Sequence, residues 1–145
     1  MVSSQIMAKH WEMFDHTADA GLAGRGESLC ELFEAMAEGL ARFICPSPPA
    51  EPRETRRVDV EAEDIEALMV EFLSAVLAVI QAEHMVVGPV RVEEASPRAV
   101  RARLLAERYD PRRHELAAEV KAITWHKLQV TCENDTWTAR VILDI

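Results

Sequence analysis

The most restrictive pattern in this chain lies between residues 65 and 80. Ile65, Leu68, Met69, Phe72, Leu73, Val76, Leu77 and Ile80 recur at i, i+3, i+4 and i+7, the stripe of an amphipathic helix. Asp64 stands in front of it as an N-cap. Such a helix has to bury its apolar face against another layer, and the chain beyond it is strand-like. Residues 86–94, 99–106, 120–132 and 137–145 alternate wholly or in part, punctuated by Pro97 and Pro111. Asn134-Asp135 reads as the hairpin turn between the last two segments. Trp137, Ala139, Val141, Leu143 and Ile145 then share one face.

The first half repeats the theme. Residues 11–15 and 20–25 read as short strands. Ser28-Leu29-Cys30-Glu31 has the form of a capping box. Leu29, Leu32, Phe33, Met36, Leu40, Phe43 and Ile44 come next at helical spacing, and Pro46 ends that helix. Residues 45–55 form a loop holding Pro46, Pro48, Pro49 and Pro52, and residues 58–62 alternate as a half-buried strand. This order predicts an α+β domain: one mixed, largely antiparallel sheet with two long amphipathic helices packed against it. Residues 1–10 are expected to be a flexible extension, and residues 11–145 a single domain.

Charge narrows the partners. The 145 residues carry a net charge of −9, and binding to phosphate backbones relies on Lys and Arg to release counterions. No stable direct nucleic-acid binding is expected, so any role in nucleic-acid chemistry would run through a partner protein. Lysine occurs only at positions 9, 121 and 127. Cys30, Cys45 and Cys132 make an odd number without a CxxC, which fits free thiols in a reducing cytoplasm. No signal-peptide pattern opens the chain. The apolar run at 65–80 is interrupted by Glu66, Glu71 and Ser74, and reads as too short and too polar to span a bilayer. No membrane partner is expected.

The chemistry-bearing residues cluster at Asp15-His16-Thr17-Ala18-Asp19, beside Gly21, Gly24 and Gly26. Short polar side chains near glycines commonly serve local turns. The alternative is a hard-cation site built from carboxylate and carbonyl oxygens. Asp144-Ile145 ends the last alternating segment and offers further oxygens. His114 and His126 match no zinc spacing, and hydrogen-bonded histidines at the surface or core edge account for them more readily. The chain has no GxSxG, P-loop or GxGxxG, and no Ser or Cys nucleophile with a recognisable base.

Several pieces in order resemble the archease family. They are Trp11-Glu12 leading into Asp15-His16-Thr17-Ala18-Asp19, Glu63-Asp64, His114, Val120-Lys121-Ala122-Ile123-Thr124-Trp125-His126, and the ending Arg140-Val141-Ile142-Leu143-Asp144-Ile145. The resemblance runs from Trp11 to Ile145. Ala20 departs from it where a branched aliphatic is common, and Trp125 where Tyr is common. It implies a non-enzymatic accessory protein that activates an RtcB-type RNA ligase, promoting guanylylation and turnover of that ligase in tRNA splicing and RNA repair. It also implies a divalent metal, described as calcium, held by Asp19, Asp144 and Ile145. His16, Lys121 and His126 are then candidates to face the ligase or its nucleotide. Two other readings remain: a chaperone or specificity factor for RNA-modifying enzymes such as a tRNA methyltransferase, and a small metal-dependent hydrolase with His16 as its base.

Overall fold

A computed structural model describes residues 9–16, 19–47, 49 and 51–145. The elements are β1 (His10–His16), β2 (Asp19–Gly26), α1 (Leu29–Ile44), β3 (Glu54–Glu61), α2 (Ile65–Ala82), β4 (Met85–Ser96), β5 (Ala99–Arg108), β6 (Ala122–Ile123), β7 (Gln129–Glu133) and β8 (Thr136–Asp144). The α+β class and both helices are as expected. The strands divide between two sheets. One runs β1-β2-β8-β6, with β7 also on β8, and the other runs β3-β5-β4. Every pairing among the described strands is antiparallel. Of the expected extension, residues 1–8 lie outside the described residues. Lys9 bridges Glu34 and Glu38 at 3.4 and 3.3 Å, and His10 opens β1.

Helix α1 explains why, among the described residues, β4 takes no further strand on its outer edge. Glu34 and Glu38 accept hydrogen bonds from the amides of Val92 and Val90 at 2.8 and 3.0 Å, and Arg42 donates to the Val87 carbonyl. These side chains stand four residues apart, so they fall on one helix face. They occupy main-chain groups that would otherwise template another strand.

Both helix starts are capped as the sequence predicts. Ser28 Oγ accepts from the Glu31 amide at 3.2 Å, and Asp64 Oδ1 from the Ala67 amide at 2.8 Å. Glu31 reaches back to the amide of Glu27, one residue before the cap. Gly39 sits inside α1 despite its low helix propensity. A Cβ there would lie 2.7 Å from Leu22 Cδ1, so the missing side chain lets the helix approach the first sheet. Helix α2 has a mean hydropathy of 1.9 over 18 residues, long and apolar enough by composition to cross a membrane. Its apolar face is used in the core: Leu68, Met69, Phe72, Leu73 and Val76 are fully buried.

One predicted strand is broken. Residues 120–132 form β6 and β7 around a turn in which the Leu128 amide donates to the Trp125 carbonyl at 3.3 Å. The His126 amide donates to Thr124 Oγ1, and Lys127 takes φ 51°. Thr and Trp are strand formers, so composition hides this turn. The Asn134-Asp135 turn is as predicted. Both residues have positive φ, 53° and 61°, between paired Glu133 and Thr136.

A buried polar knot fixes the irregular segments. Glu107 accepts from Arg113 at 2.6 Å and from the Glu51 amide at 3.2 Å, and meets His114 Nε2 at 2.5 Å. His114 Nδ1 accepts from the Asp110 amide at 2.9 Å, so Nε2 carries the proton toward Glu107. His114 is thus a core-edge structural histidine. Burial alone would raise the Glu107 pKa, but the hydrogen bonds from Arg113 and His114 outweigh it and hold it below the usual carboxylate range. A lowered folded-state pKa gives stability that is fully present above the unfolded value and is lost as pH falls through the folded one. The Glu107→Gln variant should therefore unfold more easily than the parent near neutrality. That gap should close as pH falls below about 4.3, the unfolded Glu value, and on through the lower folded one, read by denaturant melts at each pH.

Candidate functional site

The two ends of the sequence motif meet through strand register. In the β1–β2 hairpin His16 pairs with Asp19; Thr17 and Ala18 between them lie outside the described residues. Strand β2 pairs with β8 through Ala20↔Leu143 and Gly21↔Ile142. One further step in the same register brings Asp19 level with Asp144. Strand β6 closes the other side, with Ala122 opposite Asp144 and the Lys121 amide donating to the Asp144 carbonyl at 2.6 Å.

Alternation sorts these side chains by face. Ala20 and Leu143 are buried in the core, so their neighbours Asp19, Asp144 and His16 belong to the outer face. Asp15 pairs with Ala20 and so stands on the opposite face, exposed at the sheet's end. The sequence cluster is thereby divided. A cleft of about 400 Å³ at this end is lined by Asp15, Asp19, Phe14, Phe43 and Ile145, so Ile145 shares a cavity with both aspartates.

His16 Nδ1 lies 3.7 Å from Asp19 Oδ2, too far for a hydrogen bond. It is buried without a hydrogen-bond partner. The Trp125–Leu128 turn brings His126 over it, with ring centroids 5.5 Å apart at 72°. Of the expected ligase- or nucleotide-facing residues, His16 and His126 are therefore neighbours. Lys121 is tied to Asp144 through its main chain, while it lines a separate cleft of about 840 Å³ with Leu116 and Tyr109. Among the described residues, no three His, Cys, Asp or Glu side chains converge as a ready cation cage. The donors available are the carboxylates of Asp19 and Asp144 and the main-chain oxygens of Ile145. This oxygen set suits a hard divalent cation in kind.

Sequence reasoning missed the support beneath this site. The Phe14 ring lies across Gly21, where a Cβ would come within 2.1 Å of it. Arg140 sits 4.0 Å over the same ring. An aromatic opposite a glycine is a signal only once the register is known.

Fold and site together define a small two-sheet α+β protein with an acidic and imidazole-bearing end where the β1–β2 hairpin meets the last strand. Residues 11–145 match the Archease protein family, and the chain belongs to that family. It is 39% identical over 141 residues to the archease of Thermococcus gammatolerans, covering 94% of this chain and 99% of the relative. The archease of Methanosarcina barkeri is 31% identical over 148 residues, covering 99% and 100%. The solution structure of Methanobacterium thermoautotrophicum protein 1598 superposes with a TM-score of 0.78 at 31% identity, covering 93% of this chain and 98% of that one. A crystal structure of a Thermotoga maritima archease, described as a possible chaperone, shares the fold. Its TM-score is 0.64 at 19% identity, over 92% and 96% of the two chains.

Proposed function

We propose that this protein is a cytoplasmic accessory factor that activates an RtcB-type RNA ligase, promoting its guanylylation and turnover in tRNA splicing and RNA repair. The observation that supports this reading best is the meeting of Asp19 and Asp144 in neighbouring strands, with Ile145 in the cleft beside Asp19. Asp19, Asp144 and the Ile145 main-chain oxygens would hold a divalent cation, calcium in this reading. When bound, that cation supplies positive charge for phosphate oxygens. The protein's own residues do the rest. The carboxylates are held at one sheet end by β2, β6 and β8. His16 and His126 flank them with imidazole nitrogens, and Lys121 fixes the Asp144 main chain. This end would dock at the mouth of the ligase active site, where the imidazoles face the ligase or its nucleotide.

The test is a ligation time course with limiting ligase, with and without this protein. The expected result is near-stoichiometric product without it and repeated turnover with it. Identical time courses would sink the proposal. A second reading, a chaperone for RNA-modifying enzymes such as a tRNA methyltransferase, draws on the Thermotoga relative's description and on exposed Leu116 and Tyr109 at the 840 Å³ cleft. Affinity capture that yields a methyltransferase and no ligase would favour it.

A further inference from the structure

The outer face of the first sheet carries a second feature, at the end away from Asp19 and Asp144. Register sets two rows of side chains there. His10, Arg25 and Thr138 stand across β1, β2 and β8, and next to them Glu12, Ala23, Arg140 and Gln129 stand across β1, β2, β8 and β7. Arg25 and Arg140 are thus diagonal neighbours on one face, with backbones roughly 7–8 Å apart. Both line a cleft of about 420 Å³. Neither makes a carboxylate ion pair among the described residues, although most arginines of the second sheet do. Arg25 Nε is buried without an acceptor. Arg140 stacks on Phe14, which fixes its plane and leaves its N–H edges free to donate. Glu12 lines the same cleft, 3.9 Å from His10 Nε2, and pairs with neither arginine among the described residues, so two guanidinium groups stand there against one carboxylate in a chain of net charge −9.

We propose that Arg25 and Arg140 form a phosphate-binding site for single-stranded RNA on the outer face of the first sheet. Guanidinium forks match phosphate oxygens two at a time. His10, Gln129 and Thr138 add polar groups around the cleft, Glu12 is the one carboxylate in its lining, and the small residues Ala23, Gly24 and Ala139 offer no apolar socket of the kind a peptide anchor fills. The face is continuous with the His16–Asp19 end. Arg140 and Asp144 lie four residues apart in one strand, about 13 Å, so a strand bound at the arginines can reach the carboxylate end. The net negative charge keeps this contact weak in isolation, as the charge balance of the chain requires. The proposal does not depend on the ligase reading and is tested on this protein alone.

The experiment is fluorescence anisotropy of a labelled single-stranded RNA of about ten nucleotides, titrated with the protein over a series of salt concentrations. Two phosphate contacts predict a slope of log K against log salt near −1.4, falling to about −0.7 when one arginine is removed. Arg140→Ala and Arg25→Gln should each produce that halving and weaken binding several-fold, and Arg140→Lys should keep the slope. Arg140 is exposed, so its variants test the site even where Arg25→Gln perturbs folding. Three outcomes would overturn the proposal: no binding at low salt, arginine variants that titrate like the parent, or inorganic phosphate competing as well as RNA per phosphate. An acidic peptide that binds through these arginines where RNA does not would reassign the site to a protein contact.

Discussion

Phe72→Ala should lower the thermal midpoint by roughly 9–20 °C, a large loss for a single truncation in the core. Phe72 lies in the middle of α2 and is fully buried. Its ring meets that of Phe33 on α1 edge-to-face, with centroids 5.3 Å apart at 85°. The contact joins the two helices that support both sheets, so an alanine there leaves a cavity that neither helix can close without leaving its own sheet. Truncation of a buried Phe costs about 3–5 kcal/mol, and a domain of this size loses roughly 3–4 °C per kcal/mol. Phe72→Leu keeps most of the volume and should cost under about 1.5 kcal/mol. Calorimetry of the two variants side by side separates the cavity from the loss of the aromatic pair. A drop below about 3 °C for Phe72→Ala would mean that this ring does not hold the helices together.

That ring was legible in the sequence because a period of 3.6 over many residues has no competing explanation. Other features were not. The turn at Trp125–Leu128 lacks Gly and Pro, and Lys127 takes the left-handed backbone that glycine usually supplies. The division into two sheets was hidden for a related reason. Nothing in the sequence marks Glu34, Glu38 and Arg42 as bonded to the edge of β4, as they are. Alternation tells which residues share a face and is silent on which strands are neighbours. Asp15 and Asp19 are chemically equal in the sequence, and only register separates them, onto opposite faces of the sheet beside a cleft that both line. The resemblance to archeases had already favoured Asp19. Arg25 and Arg140, 115 positions apart, carried no sequence signal at all.

Asp19→Asn and Asp144→Asn should each abolish the stimulation of a limiting RtcB-type ligase, and the double variant should be no worse than either single one. The first expectation comes from the proposed cation site, which loses one of its two side-chain ligands in each variant. The second comes from the two residues acting as one unit, for which losses are not additive. A readout independent of the ligase is the melting of the protein alone. Without a cation, Asp19 and Asp144 are like charges in neighbouring strands, so each Asn variant should be at least as stable as the parent. With calcium at about a hundred times its dissociation constant the parent should gain roughly 2.7 kcal/mol, and the variants should gain little. A parent whose midpoint ignores calcium, magnesium and manganese has no cation site at this end. Variants that lose the calcium shift and still stimulate the ligase would separate metal binding from activation. The imidazoles of His16 and His126 would then be the groups left to face the ligase.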